Sequence, residues 1–194
     1  DETARSRSRR NRSSVEEAGR PPEAAPAHEL AAAQKAPQTP ASAGAPSPEA
    51  LRPIDRWILS RLDSTTADVT ERLEAFDATG AGRAIEAFTD DLSNWYVRAS
   101  RRRFWGGRRG TDDGTADAER ADADAAFATL HECLATVALL VAPFCPFVAE
   151  EIHGTLVADH DDRAPESVHL ADWPAPRGRQ DPALESAMAA AREA

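Results

Sequence analysis

Apolar side chains recur at helical spacing through most of the sequence after residue 50. In the first such segment, from about Pro53 to Phe76, the intervals are three, four or seven residues, as on one face of an α-helix. The positions are Ile54, Ile58, Leu62, Val69, Leu73 and Phe76. Pro53 suits a first helical turn, and the following FDATG segment breaks the pattern, with Asp77 or Thr79 as a cap.

Three further helices follow from the same spacing. The second runs from about Thr79 to Trp105, and its apolar stripe is Ile85, Phe88, Leu92, Trp95, Tyr96 and Ala99. The third runs from about Asp117 to Ala142 and presents Ala123, Ala126, Leu130, Leu134, Val137 and Val141. The fourth runs from about Pro146 to Val157 and presents Val148, Ile152 and Leu156. A short extended SVHLADWP segment and a last helical run complete an all-α bundle of four to five helices.

Residues 1–50 have a different composition. They contain no aromatic residue, and apart from alanine their aliphatic residues are Val15 and Leu30. Such an Ala/Pro/Arg-rich segment cannot bury enough apolar surface to offset its ordering entropy, so we expect disorder, with a short helix near residues 27–36. The RSRSRRNRSS run, residues 5–14, is typical of a solvated tail, although it could also contact RNA or act as a targeting signal.

Composition narrows the possible classes of protein. The net charge of −10 argues against generic binding of nucleic acid, and no stretch approaches the roughly 20 apolar residues of a membrane span. Cys133 and Cys145 are too few for a disulfide scaffold, so a cytoplasmic protein is the default expectation. Because the chain begins at Asp1 and ends inside a helical pattern, we expect a piece of a longer protein that is truncated at its C-terminus.

The search for catalytic groups and metal ligands gives no candidate. The sequence has no Gly-rich phosphate loop, no HExxH and no CxxC. His131, Cys133, Cys145 and His153 invite a zinc site, but His131 and Cys133 point to different sides of a helix. We therefore predict neither a catalytic residue nor a metal site in this chain.

The second predicted helix carries an unusual concentration of positive charge. From Leu92 to Thr111 there is no acid, whereas there are six arginines, at positions 98, 101, 102, 103, 108 and 109. A wheel at about 100° per residue places the following residues opposite the apolar stripe: Arg83, Asn94, Arg98, Arg101 and Trp105. Arginine can pair with phosphate and tryptophan can stack on a base, which favours an RNA-contact face. The alternative is that these cations suit the helix C-terminus and pair with the acids that follow.

Several segments, in order, resemble one family. They are RPIDRWILSRL, FDATGAGRAIEAFTDDLSNWYVRASRRRFWG, TLHECLATVALLVAPFCPFVAEEIHGTL and SVHLADWP. Together they resemble the helical anticodon-binding domain of isoleucyl-tRNA synthetases, over residues 51–194. The sister valyl and leucyl enzymes share the bundle, but would not be expected to share the Asn-Trp-Tyr-Val-Arg helix with its Arg-rich end.

The resemblance implies the fold and partners of a class I synthetase, which activates isoleucine with ATP and Mg²⁺. Its HIGH-type and KMSKS-type motifs are not in this sequence, so the fragment alone is predicted to be inactive and to hold no cofactor. The implied partners are isoleucine-accepting tRNA and the catalytic domain of the same synthetase, with no membrane. The candidate tRNA contacts are Asn94, Arg98, Arg101, Arg102 and Trp105.

Three alternatives stay open within that resemblance. The Arg-rich helix end could dock on the body of the synthetase itself. The chain could be a stand-alone module that binds protein, or the same domain of a valyl- or leucyl-type enzyme. Trp95, Tyr96 and Phe104 are expected to pack the bundle or its junction with the catalytic domain, and His169 and Trp173 to hold the last connection across the bundle.

Overall fold

A computed structural model of the chain describes residues 51–106 and 116–193. These two ranges contain helices and no strand, which confirms the all-α prediction. The α-helices are α1 (Pro53–Glu74), α2 (Ala78–Asp90), α3 (Arg98–Gly106), α4 (Ala116–Val141), α5 (Pro146–His153) and α6 (Pro182–Glu193). The predictions for residues 1–50, including the short helix near 27–36, lie outside the described residues.

Two π-helical segments join these helices into five continuous rods. One π segment, Asp91–Val97, links α2 to α3, and the other, Gly154–Ala158, extends α5. The predicted boundaries of the first four helices therefore agree with the structure to within a few residues. A wheel with a constant α-helical angle, however, does not describe the second and fourth rods throughout.

The core lies where α1, the second rod and α4 pack together. Its buried side chains are Trp57, Ile58, Leu59, Leu62, Phe88, Leu92, Tyr96 and Cys133. A second, smaller cluster of Val69, Ala81, Ile85 and Leu140 lies towards the end where α1 and α4 stop and α2 begins. The clusters show that α1 and α4 run in the same direction, with the second rod antiparallel to both.

The C-terminal end of α1 differs from the sequence prediction. The helix stops at Glu74, and Phe76 lies beyond it with a φ of 59°. Its side chain is 96% exposed, so the assignment of Phe76 to the buried stripe was wrong. The chain reverses there because the Asp77 N–H bonds back to Arg72 O at 2.8 Å, while the Asp77 carboxylate caps α2 by accepting from Gly80 N–H.

The inward face of α5 is also shifted from the prediction. Ala149, His153 and Val157 are buried at intervals of four residues, whereas Val148 is 57% exposed. The prediction selected apolar side chains and so chose Val148, whereas the buried face of α5 includes the polar side chain of His153. The His153 ring is accommodated because its Nε2 lies 2.9 Å from Pro165 O.

The chain after α5 returns along α1. The segment predicted to be extended contains a 3-10 turn, Val168–Leu170, and the residues on either side of the turn, Ser167 and Ala171, are extended. Trp173 Nε1 donates to Thr70 Oγ1 at 2.9 Å, which supports the predicted connecting role of Trp173, whereas His169 is exposed. Arg179 then pairs with Asp63 at 2.7 Å, so the segment is fastened along the length of α1 before α6 begins.

Helix α4 also bears on the membrane prediction. The stretch Asp117–Val141 is long and apolar enough to cross a membrane by length and composition, so the statement that no stretch approaches a span was too strong. In the structure the same helix contacts α1, α3 and α5. A central helix of a bundle needs the same apolar length, which makes this feature weak support for a membrane span.

Candidate nucleic-acid interface

The π segment sets which side chains of α3 face outward. An i→i+5 turn holds more residues than an α-turn, so every residue after Val97 is rotated backwards relative to a regular helix. As a result, Ala99, which was predicted to lie in the apolar stripe, is exposed. Ser100 points inward in its place with 0% exposure, and Arg103 is also inward with 7% exposure.

The outward face of α3 carries most of the predicted site. Arg98, Arg101 and Arg102 are exposed, and Trp105 is 67% exposed. Since residues three and four apart are neighbours on a helix, these four side chains form one surface, which we call the arginine face. Within the described ranges, Arg98, Arg101 and Arg102 form no salt bridge, and Asp117, one of the acids predicted to pair with this face, lies 3.5 Å from Arg120 instead. The other two predicted acids, Asp112 and Asp113, lie outside the described residues.

Asn94 lies on the preceding π segment and has a different environment. It is exposed, but its Nδ2 donates to the carboxylate of Asp90, one turn earlier. The amide is therefore engaged beside a negative charge that would repel a phosphate. Asn94 is on the same side as the arginine face without sharing its positive surroundings.

Arg102 also lines an open pocket between α1, α3 and α4. The pocket measures about 420 Å³, and its lining residues are Arg52, Arg102, Arg103, Ala118, Glu119 and Asp122. Arg52 stands just before α1, and its guanidinium lies 2.6 Å from Asp122 Oδ2. Positive charge thus extends from α3 to the start of α1, although the two carboxylates in the pocket partly offset it.

Beneath the arginine face, three groups bond to the buried carboxylate of Asp55, and one of them also reaches α4. Arg103 Nη1 donates to Asp55 Oδ1 at 2.7 Å and Nη2 donates to Oδ2 at 2.9 Å, in a bidentate pair. The Tyr96 hydroxyl lies 2.8 Å from Oδ1, and the Arg52 backbone N–H donates to Oδ2 at 2.8 Å. Arg103 Nη2 also reaches Asp122, which belongs to α4, at 3.0 Å.

The pKa values of Arg103 and Tyr96 are both raised, for different reasons. Burial alone would lower the pKa of the Arg103 guanidinium, but the hydrogen bonds and charges of Asp55 and Asp122 outweigh it and raise the pKa. Burial, followed by the charge of Asp55, raises the pKa of the Tyr96 phenol well above its ordinary value. Arg103 is therefore held as a cation and Tyr96 as a neutral donor.

The histidines and cysteines considered as zinc ligands have other surroundings. His131 Nε2 lies 2.9 Å from Leu156 O, while Cys133 is buried and Cys145 is exposed, both as free thiols. Burial raises the pKa of the Cys133 thiol, which keeps it protonated. In the described part of the chain, no group of three or more His, Cys, Asp or Glu side chains is placed to hold a metal ion.

Comparison with known protein families identifies a domain that spans the bundle described above. The profile of one protein family, described as the anticodon-binding domain of tRNA ligase, matches residues 55–194. The chain belongs to that family. This anticodon-binding domain was expected from the resemblance of its helices, and the match covers the whole bundle.

Individual relatives carry a more specific name. The chain is 50% identical over 151 residues to an isoleucine–tRNA ligase of Thermobifida fusca, covering 77% of this chain and 13% of that protein. Isoleucine–tRNA ligases of Deinococcus radiodurans and Thermus thermophilus are 47% and 46% identical, over 76% and 72% of the chain and 12% of each protein. The chain therefore spans a small part of these relatives' length.

The sequence missed three residues that build this end of the domain. Asp55, Arg103 and Arg52 were not among the candidates, although Arg103 follows Leu92, Tyr96 and Ser100 at helical intervals of three and four. That interval was the available signal that Arg103 points inward. An acid on α1 among buried apolar neighbours was the signal for its partner, because a buried charge requires one.

Proposed function

We propose that residues 51–194 form the tRNA-binding, anticodon-binding domain of an isoleucine–tRNA ligase, and that the arginine face contacts the tRNA. The observation that carries the proposal is the outward arginine and tryptophan surface on a domain of the anticodon-binding family. Guanidinium groups can bind phosphates and an exposed indole can stack on an unpaired base. The names of the relatives support isoleucine as the amino acid.

The candidates do not have equal support. Arg98, Arg101 and Arg102 are exposed without a carboxylate partner among the described residues, and Trp105 presents most of its surface. Asn94 is engaged by Asp90, so we rank it last. Within residues 51–194, acids outnumber bases, so a polyanion that binds the bundle would be directed to this face because like charges repel it elsewhere.

We expect the catalytic activity of the whole enzyme to reside in the parts of the relatives that lie outside the region matched by this chain. We expect a parent protein that uses ATP and Mg²⁺ to charge isoleucine tRNA in the cytoplasm, with its catalytic domain as a partner of this bundle. The chain alone is expected not to aminoacylate, because it lacks the HIGH-type and KMSKS-type motifs.

A binding titration tests the proposal. The full chain is titrated by fluorescence anisotropy into labelled isoleucine tRNA and into an anticodon-altered transcript, at two salt concentrations. We expect tighter binding to the unaltered tRNA and a steep loss of affinity with salt, since each phosphate contact contributes about 0.7–0.9 to the log–log slope. Arg98→Ala/Arg101→Ala should weaken binding by about tenfold or more, because two charge-assisted contacts are lost.

The matched control removes the same charge elsewhere. Arg163→Ala/Arg177→Ala also deletes two exposed arginines, but neither lies on the second rod. Equal weakening by both double variants would mean that net charge alone governs binding. No salt-dependent binding by the folded chain would overturn the proposal and favour docking of this face on the synthetase body or on another protein.

A further inference from the structure

The nine-residue helix α3 has little apolar surface with which to hold its place. Four of its residues are arginines, and the aromatic residue that packs inward is Phe104, whose ring lies 4.9 Å from that of Phe127 and 6.5 Å from that of Tyr96. Helix α3 continues the second rod, so the π segment sets its starting rotation. With so little apolar surface of its own, α3 needs a further contact to hold that rotation against the bundle.

The bidentate pair of Arg103 and Asp55 supplies that contact. A planar guanidinium that bonds both oxygens of a fixed carboxylate has one allowed orientation, unlike an apolar side chain that can slide or rotate in its site. Asp55 is itself fixed by the Arg52 N–H and the Tyr96 hydroxyl, and its exposure is 0%. Arg103 is thus tied to an immobile point at the start of α1.

We propose that Arg103 is a positioning residue, whose pair with Asp55 holds α3 in the rotation that turns Arg98, Arg101 and Trp105 outward together. Arg103 follows Arg98 by five residues and Arg101 by two, so on a helix it points away from both. A rotation of α3 that released Arg103 would carry the outward arginines towards the bundle. This inference rests on the proposed function of the arginine face.

A second feature indicates a role in geometry beyond stability. Arg103 Nε is buried and has no hydrogen-bond partner among the described residues, so the guanidinium is incompletely satisfied. Buried ion pairs can often be replaced by apolar residues of similar volume without loss of stability. Such a replacement here would keep the fold and remove the fixed orientation, which separates the two roles experimentally.

The test compares two double variants of the full chain that leave the net charge unchanged. Asp55→Leu/Arg103→Met removes the pair beneath α3, and Asp63→Leu/Arg179→Met removes another buried-carboxylate pair, between α1 and the returning C-terminal segment. Affinity for isoleucine tRNA and its salt slope are measured at a temperature where each variant is folded by circular dichroism. Hydrogen exchange of the α3 amides is measured in the free proteins.

We expect Asp55→Leu/Arg103→Met to bind about tenfold more weakly, with a log–log salt slope lower by about 1.5, as for the loss of two phosphate contacts. Its α3 amides should exchange faster than those of α1 and α4. The Asp63→Leu/Arg179→Met control should keep both the wild-type slope and the wild-type α3 protection. A lower slope cannot come from folding or net charge, since both are unchanged.

The outcomes separate this inference from the proposed function. Unchanged α3 protection and unchanged slope in folded Asp55→Leu/Arg103→Met would overturn the positioning role. If that variant cannot be obtained folded, Arg103→Lys, which retains the charge without the bidentate geometry, is measured in the same way, and a wild-type slope and protection would again overturn the role. Selective loss of α3 protection, with no tRNA binding by the wild-type chain, would contradict the proposed function while supporting the positioning of the helix.

Discussion

The two ends of the bundle are stabilised by different interactions. At the end where α1 begins, Asp55, Arg103 and Tyr96 form a buried polar cluster beneath an exposed cationic surface. At the end where α1 stops, Val69, Ala81, Ile85 and Leu140 pack as an apolar cluster without a buried charge among them. Because four of the nine residues of α3 are arginines, α3 can bury little apolar surface area. Hydrogen bonds and ion pairs therefore hold this helix where buried apolar area would otherwise do so.

The difference also appears in how the helices turn. Beneath the arginine face, a π segment and a bidentate pair set the rotation of α3. At the other end, Phe76 holds a left-handed backbone conformation at the turn between α1 and α2 with its side chain in solvent. Directional bonds define one end tightly, whereas the other tolerates a locally unfavourable residue.

The largest expected effect comes from breaking the polar end. Asp55→Ala leaves the Arg103 guanidinium buried with Asp122 as its remaining acidic partner, and removes acceptors from Tyr96 and the Arg52 N–H. The free energy of unfolding should fall by about 4 kcal/mol, as for a buried pair that loses one member. Urea unfolding followed by circular dichroism measures it. A loss below about 1 kcal/mol would mean that other contacts hold this end.

A smaller loss is expected from the apolar end. Leu140 has 0% exposure, and Leu140→Ala removes its methyl groups from the cluster and leaves a cavity. The free energy of unfolding should fall by about 3 kcal/mol, within the range for buried leucines. In contrast to Asp55→Ala, the folded variant should keep wild-type protection of the α3 amides in hydrogen exchange. Selective loss of α3 protection would show that the two ends are not independent.

The sequence predicted the apolar core better than the buried polar cluster, for a physical reason. Ile58, Leu62 and Val69 were found from their spacing, because burial of aliphatic side chains leaves a regular pattern. Ala99 was misplaced because the spacing cannot show a π segment, which changes the angle per residue. Similarly, Val148 was favoured over His153 because a buried histidine depends on a distant carbonyl, that of Pro165.

The candidate site shows the same limit. The outward positions of Arg98, Arg101 and Trp105 agree with the helical wheel, because these residues lie opposite the buried apolar stripe of the same rod. The inward position of Arg103 depends on Asp55, which is 48 residues away in the sequence. Charge alone does not distinguish an arginine that contacts a ligand from one that orients its neighbours. The tRNA contacts of Arg98, Arg101 and Trp105 remain a prediction.

The smallest expected effect has the opposite sign and concerns Phe76. Its φ of 59° is costly for a residue with a Cβ, and its 96% exposed side chain gains nothing from packing. Phe76→Gly should therefore raise the free energy of unfolding by about 0.5–1 kcal/mol, and the melting temperature by about 1–3 °C, after the greater entropy of glycine in the unfolded chain is counted. Phe76→Ala is the matched control, since it removes the ring but keeps the backbone conformation, and it should be close to neutral. Thermal unfolding of the three proteins distinguishes the cases: a lower melting temperature for both variants would show that the ring makes a stabilising contact in solution, and the apolar end would then be less tolerant than its packing indicates.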